Sequence, residues 1–565
     1  MSPTTTESSE TNLTPAQALD VFAKAVESAV AARYPDAPPA EVVFEAPRRP
    51  EFGDFATNVA FSLARVARRS PGDVATALIE DAREREPRLA GLFSAIDALA
   101  GFINVRLAPA VWQGVVALVL REGGDFGRAP ARGRRISLEF GSANPTGPLV
   151  VVQGRALSIG GTLANAMRFR GYDVFVEWIC NDAGGQLDLL ARSIYARYRQ
   201  IAEPDFPLPE DGYPGEYLVP VARAIHERDG AKWASAPEGQ WLPYFGSFGR
   251  DELVAQQRST VERFGVSFDK WQSEHEMHEQ GRVKAGVDRL AELGLTYQQD
   301  GATFFRSTDF GDDKDRVLVR GDGRPTYLAP DVAYHYEKLQ RADHVIDVLG
   351  PDHHGYISRL KGLAAALGYP GQLEVLIAQQ VTLVRGGEAV VMSKRAGNIV
   401  TLDEILDEVG TDAARFFFVM SAPESPVAFD LQLAVEQSHE NPVYYVQYGH
   451  ARIASVLRNA DPADVEAARG GADLSPLAHP AELALARRLA EFPAVVEGVA
   501  VHLAPHRLAR YARDVASDFH QFYTECKILV AERDVRLARL ALCAATEIVL
   551  KSALALLGVT APDSM

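Results

Sequence analysis

A multidomain α/β fold is what this sequence predicts, and three observations predict it. The chain has 565 residues, 47% of them hydrophobic and 24% charged, enough for three or four domains at ~100–200 residues each. Between about residues 130 and 409, apolar strand patterns alternate with helical ones, and that alternation specifies a parallel sheet. From about Gly410 onward only helical periodicity remains. Together these read as a Rossmann-like parallel sheet carrying an insertion, preceded by a small α+β domain and followed by an all-α bundle.

Residues 1–13 are rich in Ser, Thr and Glu and are expected to form a disordered tail, since little there repays ordering. Thr14-Pro15 reads as a helix cap with proline at the first helical position. Leu19, Phe22, Ala23 and Val26 then give one apolar face. A second helical stretch is predicted over Phe55–Val66, and Gly101-Phe-Ile-Asn-Val-Arg-Leu107 reads as a strand. This first domain spans 14–129. Ile136–Phe140 and Val174–Ile179 are apolar strands flanking a helical pattern at 150–170, a βαβ unit with a right-handed crossover. A second such unit comprises strand Val345–Leu349, helix Tyr356–Leu367 and strand Val375–Ala378. The two belong to a domain at 130–409 with an insertion at about 190–320. The bundle covers 410–565. In it Leu508, Tyr511, Ala512, Val515, Phe519 and Phe522 follow the spacing of one buried helix face.

Composition excludes several classes. Lys+Arg number 58 against 75 Asp+Glu, a formal charge of −17, so the chain is not basic throughout, although a local basic groove on an acidic body stays compatible with nucleic acid. Cys180, Cys526 and Cys543 form no CxxC pair. Neither a structural zinc site nor a disulfide framework is expected, and a reducing, cytoplasmic setting is. No signal peptide and no membrane span are expected from the polar start and the absence of 18 consecutive apolar residues.

Four segments can carry chemistry. The turn Ser142-Ala-Asn-Pro-Thr-Gly-Pro148 joins a strand's carboxyl end to a helix N-terminus, where α/β sheets bind ligands and backbone N–H groups hold phosphate; an ordinary loop with two prolines explains it equally well. Asp352-His353-His354-Gly355 follows the strand Val345–Leu349. Adjacent imidazoles there suit hydrogen bonding to a substrate or nucleotide better than a shared metal ion, with capping as the plain alternative. Val391-Met-Ser-Lys-Arg-Ala-Gly-Asn398 has the composition of a loop that holds phosphates by point charges, or of a solvated surface loop. Tyr327-Leu-Ala-Pro-Asp331 offers a carboxylate that can pair bidentately with a guanidinium, or an exposed turn.

In this order the segments resemble the arginyl-tRNA synthetase family of class I aminoacyl-tRNA synthetases, over nearly the whole chain. Glu51-Phe-Gly-Asp-Phe-Ala-Thr-Asn58 and Gly101-Phe-Ile-Asn104 are similar to the family's N-terminal tRNA-binding domain. Leu138–Leu149, Asn181-Asp-Ala-Gly-Gly-Gln186, Tyr327–Asp331, Asp352–Tyr356 and Met392–Asn398 match the catalytic domain. Asp412-Ala-Ala-Arg415, Asn441–Tyr448 and Ala561–Met565 match the anticodon-binding bundle. The resemblance implies ATP-dependent activation of L-arginine to arginyl-adenylate and transfer to the 3′ end of tRNA(Arg), with ATP and Mg2+, in a cytoplasmic monomer. It implies that Glu139, Tyr327 and Asp331 surround the guanidinium, with Asn144 and His353 at the amino-acid end. Pro145, Thr146, Gly147, Pro148, Gly154, His354, Met392 and Arg395 fall at ATP-binding positions, and Gln153, Ser393 and Lys394 at catalytic ones. Phe102, by stacking, Asn104, by base-edge hydrogen bonds, and Tyr448 would touch tRNA.

Both class signatures depart from the family pattern. Where the family carries His-Val-Gly-His, this chain has Val150-Val-Val-Gln153, and Val391 replaces the first lysine of the second signature. Two readings follow. One is a working ligase whose ATP site is rebuilt around Gln153, His354, Lys394 and Arg395. The other is a catalytically impaired paralogue that binds tRNA or arginine. A third, an adenylate-forming enzyme with a non-tRNA acceptor, leaves the helical C-terminal domain without a purpose.

Overall fold

The computed structural model of the chain describes residues 13–47, 49–390 and 400–565. Most of the expected tail, and Met392, Ser393, Lys394 and Arg395 with the rest of the second signature, lie outside the described residues.

The first helix, Pro15–Arg33, begins as predicted: Thr14 Oγ1 accepts the Gln17 N–H at 3.2 Å and Gln17 Oε1 accepts the Thr14 N–H at 2.9 Å, a reciprocal cap. The stretch predicted as one helix from Phe55 starts instead as strand β1 (Phe55–Thr57), and the helix occupies Val59–Ala67. Pairing overrides local preference here. With β2 (Phe93–Leu99) and β3 (Phe102–Leu107), β1 forms an antiparallel sheet of order β1-β3-β2.

The central sheet begins with β4 (Arg135–Phe140). A crossover helix, Val151–Phe169, leads to the parallel β5 (Asp173–Cys180). Gly160 lets that helix lie flush on the sheet, because a Cβ there would come within 2.0 Å of the Phe140 ring. Helices Gly185–Gln200, Leu218–Asp229 and Glu238–Arg263 follow, with a separate aromatic core including Tyr195, Trp241 and Phe245. The expected insertion at 190–320 is not continuous, for the chain returns to the sheet as edge strand β6 (Lys270–Ser273). Four residues with two polar ends carry no strand signature; what secures β6 is Trp271 stacked on Trp178, ring centroids 4.6 Å apart. Strands β7 (Thr296–Gln299), β8 (Ala302–Phe305) and β9 (Arg316–Val319) make a small antiparallel sheet. Then β10 (His344–Leu349) and β11 (Leu373–Ile377) complete a five-stranded parallel sheet of order β11-β10-β4-β5-β6. The chain runs outward in both directions from the β4–β10 pair. The crevice beyond their carboxyl ends is therefore the topological switch point.

Past the sheet, β12 (Val381–Arg385) pairs with β13 (Glu388–Ala389) and with β14 (Val427–Asp430). The strands therefore do not stop at Gly410, because β14 is recruited by β12, some forty residues earlier in the chain. The remaining helices form the bundle, and all six residues of the predicted seam in helix His506–Glu525 are buried. Helix Arg533–Leu557 is long and apolar enough to cross a membrane by length and composition alone, and 72% of its most apolar window is buried in the protein. Its end is held by the buried Arg415, which donates to the carbonyls of Leu557 (3.1 Å) and Phe264 (2.8 Å). The N-terminal domain docks on the bundle, where Arg487 pairs with Asp54 at 2.9 Å and covers the Trp112 ring.

Candidate active site

A cavity of about 1500 Å³ opens at the switch point. Its walls come from the turn after β4, the first turn of the crossover helix, the start of the helix Gly185–Gln200, the segment after β6, the start of helix Leu328–Arg341 and the short helix Pro351–Tyr356 after β10. Glu139, Asn144, Thr146, Gly147, Pro148, Gln153, Tyr327, Asp331 and His353 all line it, so residues up to about two hundred positions apart share one chamber.

The turn is held from behind. The buried Gln257 donates from Nε2 to the carbonyls of Asn144 (3.0 Å) and Gly147 (2.9 Å), and Tyr217 donates to the Thr146 carbonyl at 2.7 Å. Asn144 in turn donates to Gln186 Oε1 at 2.8 Å and accepts from Asn181 Nδ2 at 3.2 Å. Gln153 sits in the first turn of the crossover helix, and its Oε1 accepts the Val150 N–H at 3.2 Å. Its Nε2, with no partner among the described residues, remains to donate into the cavity at a helix N-terminus, where negative charge is favoured.

The other end is built for a cation. Asp331 stands in the first turn of helix Leu328–Arg341 and accepts a hydrogen bond from the Tyr356 hydroxyl. Burial pushes its carboxyl up, as it pushes up Tyr356. Glu274, absent from the sequence expectations, lines the same cavity. Burial and the neighbouring Asp331 and Asp182 push it up to about 7. Clustered half-buried carboxylates raise one another in this way, and an incoming cation relieves them. Sequence spacing could not reveal Glu274, which reaches the chamber only because β6 joins the sheet edge.

Glu139 is buried and its Oε2 accepts a hydrogen bond from Lys338 Nζ at 2.7 Å, while its Oε1 accepts one from Ser142 at 2.9 Å. Three residues expected at ATP do not line the cavity. Pro145 is buried beneath the turn, and His354 is exposed outside the lining although its neighbour His353 belongs to it. Gly154 faces the other way: a Cβ there would meet Leu402 at 2.7 Å and Phe418 at 2.9 Å. On the N-terminal domain, Phe102 is 43% exposed and packs edge-on against Phe61. Asn104, expected to read a base edge, is instead buried, on the central strand β3 of its sheet. Tyr448 stacks on Tyr444 (5.9 Å, 9°) beside Arg452 and His520.

Glu274 makes a test of this electrostatics. In the ligand-free protein its folded value lies above the ordinary 4.5, so ionising it costs stability. That cost is absent at low pH and grows as pH rises from 4.5 through 7. Glu274→Gln is expected to stabilise the ligand-free protein at pH 8 by about 2–3 kcal/mol and to leave it nearly unchanged at about pH 4. Thermal unfolding at the two pH values checks this, and equal gains at both would reject it.

Three family models match the chain: "Arginyl tRNA synthetase N terminal domain" over residues 18–107, "tRNA synthetases class I (R), catalytic domain" over 250–420, and "DALR anticodon binding domain" over 446–565. The arginine–tRNA ligase of Syntrophotalea carbinolica is 44% identical over 93% of this chain and 95% of its own length. That of Moorella thermoacetica is 43% identical over 98% and 99%. Among solved structures, a putative arginyl-tRNA synthetase from Campylobacter jejuni superposes with a TM-score of 0.75 at 31% identity, covering 81% of this chain and all of that one. The Thermus thermophilus arginyl-tRNA synthetase shares the fold with a TM-score of 0.73 at 21% identity, over 97% and 100%.

Proposed function

Since this chain belongs to the arginyl-tRNA synthetase family, we propose that the chamber at the switch point activates L-arginine with ATP and transfers it to tRNA(Arg). One observation carries the reading: a single cavity joins a phosphate-suited helix N-terminus at Gln153 to the carboxylates of Asp331 and Glu274, which pair with no lysine or arginine among the described residues, Glu274 meeting only His278 at 3.6 Å. The distance between the two ends is spanned by the substrate itself, with its guanidinium at one end and its reacting carboxylate at the other. Near-full-length likeness to arginine–tRNA ligases supports the working enzyme; the binding-module alternative gains nothing from it.

In the first step the arginine carboxylate attacks the α-phosphorus, the bond to the bridging oxygen breaks, and pyrophosphate leaves. In the second, the terminal ribose hydroxyl of tRNA attacks the activated carbonyl and AMP leaves. Positioning and charge stabilisation supply most of the rate. Asp331 and Glu274 clamp the guanidinium, with Tyr327 over it. Asn144, oriented by Gln186 and Asn181, and His353 hold the amino-acid end. The turn Thr146–Pro148 and Gln153 Nε2 meet the nucleotide, and Lys394, with Ser393, Met392 and Arg395, is assigned by sequence to the pyrophosphate end. Among the described residues no three His, Cys, Asp or Glu side chains converge on a metal position. Mg2+ would therefore enter held by phosphate oxygens and water, supplying charge neutralisation there. A site built to pair a guanidinium rejects neutral analogues, because its carboxylates would stay unpaired. Phe102 and the Tyr444–Tyr448 stack offer aromatic faces to tRNA bases. The three cysteines are free and buried, which suits the cytoplasm.

Charging of tRNA with labelled arginine tests the reading. Lys394→Ala should lower the rate by about 10²–10³-fold, the usual cost of one preorganised donor. Equal rates would discard the role of Lys394. No charging by the pure wild-type protein, with tRNA binding retained, would select the binding module instead.

A further inference from the structure

We propose that a buried ladder of charges is the positioning device of the cation pocket, and that Glu139 acts through it on Asp331 without touching the substrate. The inference rests on the arginine pocket assigned above and deepens it.

Parallel pairing sets Asp347 of β10 directly beside Glu139 of β4, and Glu139 directly beside Glu177 of β5. Three carboxylates thus stand in a row across three adjacent strands, all buried. Like charges in register repel, and buried charges survive only when paired. The pairing comes from one helix. Leu328–Arg341 lies over the row and presents His335, Lys338 and Arg341 along one side. His335 Nε2 is 2.9 Å from Asp347 Oδ2, Lys338 bridges Asp347 and Glu139, and Arg341 pairs with Glu177. Both ring nitrogens of His335 face acceptors, the other being the Asp331 carbonyl at 2.8 Å, an arrangement that favours the doubly protonated ring, and against the cost of burial the Asp347 carboxylate raises its affinity for the proton. Three cations then balance three carboxylates.

Asp331 lies one turn before His335 on the same helix and pairs with no cation among the described residues. It is the fourth rung, and none of the described residues supplies its cation. The substrate guanidinium completes the ladder. This explains why the helix cannot slide or rotate: any register shift leaves several buried charges unpaired at once, and Tyr327 and Asp331 are carried on that helix. It also gives Glu139 a role other than the direct contact implied by the family resemblance, since its Oε2 already holds Lys338 and its Oε1 holds Ser142.

The two roles are separable. Glu139→Gln is nearly isosteric and leaves Lys338 with one carboxylate too few, so the excess positive charge faces the pocket. Adding Lys338→Met, or Lys338→Gln where the apolar change does not fold, restores neutrality. Arginine Kd is measured by calorimetry on the full chain, with arginine KM, ATP KM and kcat from tRNA charging. Glu139→Gln should raise arginine Kd and KM about tenfold with ATP KM unchanged, and the second substitution should recover most of that loss. A Glu139→Gln protein with arginine Kd within about twofold of wild type would overturn the ladder. So would a double variant as weak as Glu139→Gln alone, because direct contact cannot be rescued through Lys338. Wild-type protein that binds arginine but fails to charge tRNA would sink the ligase reading only, and the calorimetric comparison would still decide the ladder.

Discussion

Replacing Asp331 with Asn is expected to weaken arginine binding by about 3–5 kcal/mol, the loss that follows when one partner of a buried ion pair is removed, or roughly two to four orders of magnitude in Kd. The change is almost isosteric, and the substituted amide can still accept a hydrogen bond from Tyr356, so the helix Leu328–Arg341 should stay in place on its four ion pairs to the sheet. What disappears is the negative charge at the head of that helix. ATP KM should therefore be unchanged, and thermal stability should be unchanged or slightly higher, because burial already holds the Asp331 carboxyl above its ordinary value. Equilibrium binding of labelled arginine measures the effect directly. Near-wild-type affinity would place the guanidinium elsewhere and remove the basis of the functional assignment.

Arg155→Met is expected to be as costly, through stability. Arg155 is fully buried one half-turn beyond Gln153 and donates to the carbonyls of Gln379 (3.0 Å), Ala422 (2.9 Å) and Ser425 (2.6 Å), among others. Burial pushes its guanidinium down to about 10, so it remains charged at neutral pH. It ties the crossover helix at once to the chain entering β12 and to the chain entering β14. Methionine fills similar volume but donates nothing. Two or three carbonyls left without a donor, at about 1–3 kcal/mol each, should lower the stability of the catalytic domain by about 3–5 kcal/mol. Urea unfolding followed by tryptophan fluorescence reports this, since Trp178 and Trp271 stack in that domain. A midpoint within error of wild type would show that the carbonyls find other donors. ATP KM should also rise, because the first turn of the crossover helix loses its anchor to the strand that precedes the second signature.

Local patterns were legible wherever one short-range interaction decides the outcome. The Thr14 cap, the strand–helix alternation from Ile136 to Ile179 and the seam Leu508–Phe522 each follow from residues within about a turn or two of one another. Legibility failed where a distant segment decides. Phe55–Thr57 became a strand because β3 pairs with it, Val427–Asp430 because β12 does, and Lys270–Ser273 because the sheet edge and Trp178 accept it. The same division runs through the site. Asp331, Asn144 and His353 were recognisable from motif order. Glu274 was not, and Gly154 and Asn104 looked better placed than their packing allows.

By itself, then, the amino-acid order determined the family, the architecture and several of the residues that line the switch-point cavity, since these reside in short motifs whose chemistry travels with them. Only the tertiary structure decided which carboxylates are free. Strand register set Asp347, Glu139 and Glu177 side by side, one helix neutralised them, and Asp331 was left as the one on that helix without a cation among the described residues. Charge balance at a buried site is a sum over neighbours in space, and no stretch of chain carries that sum.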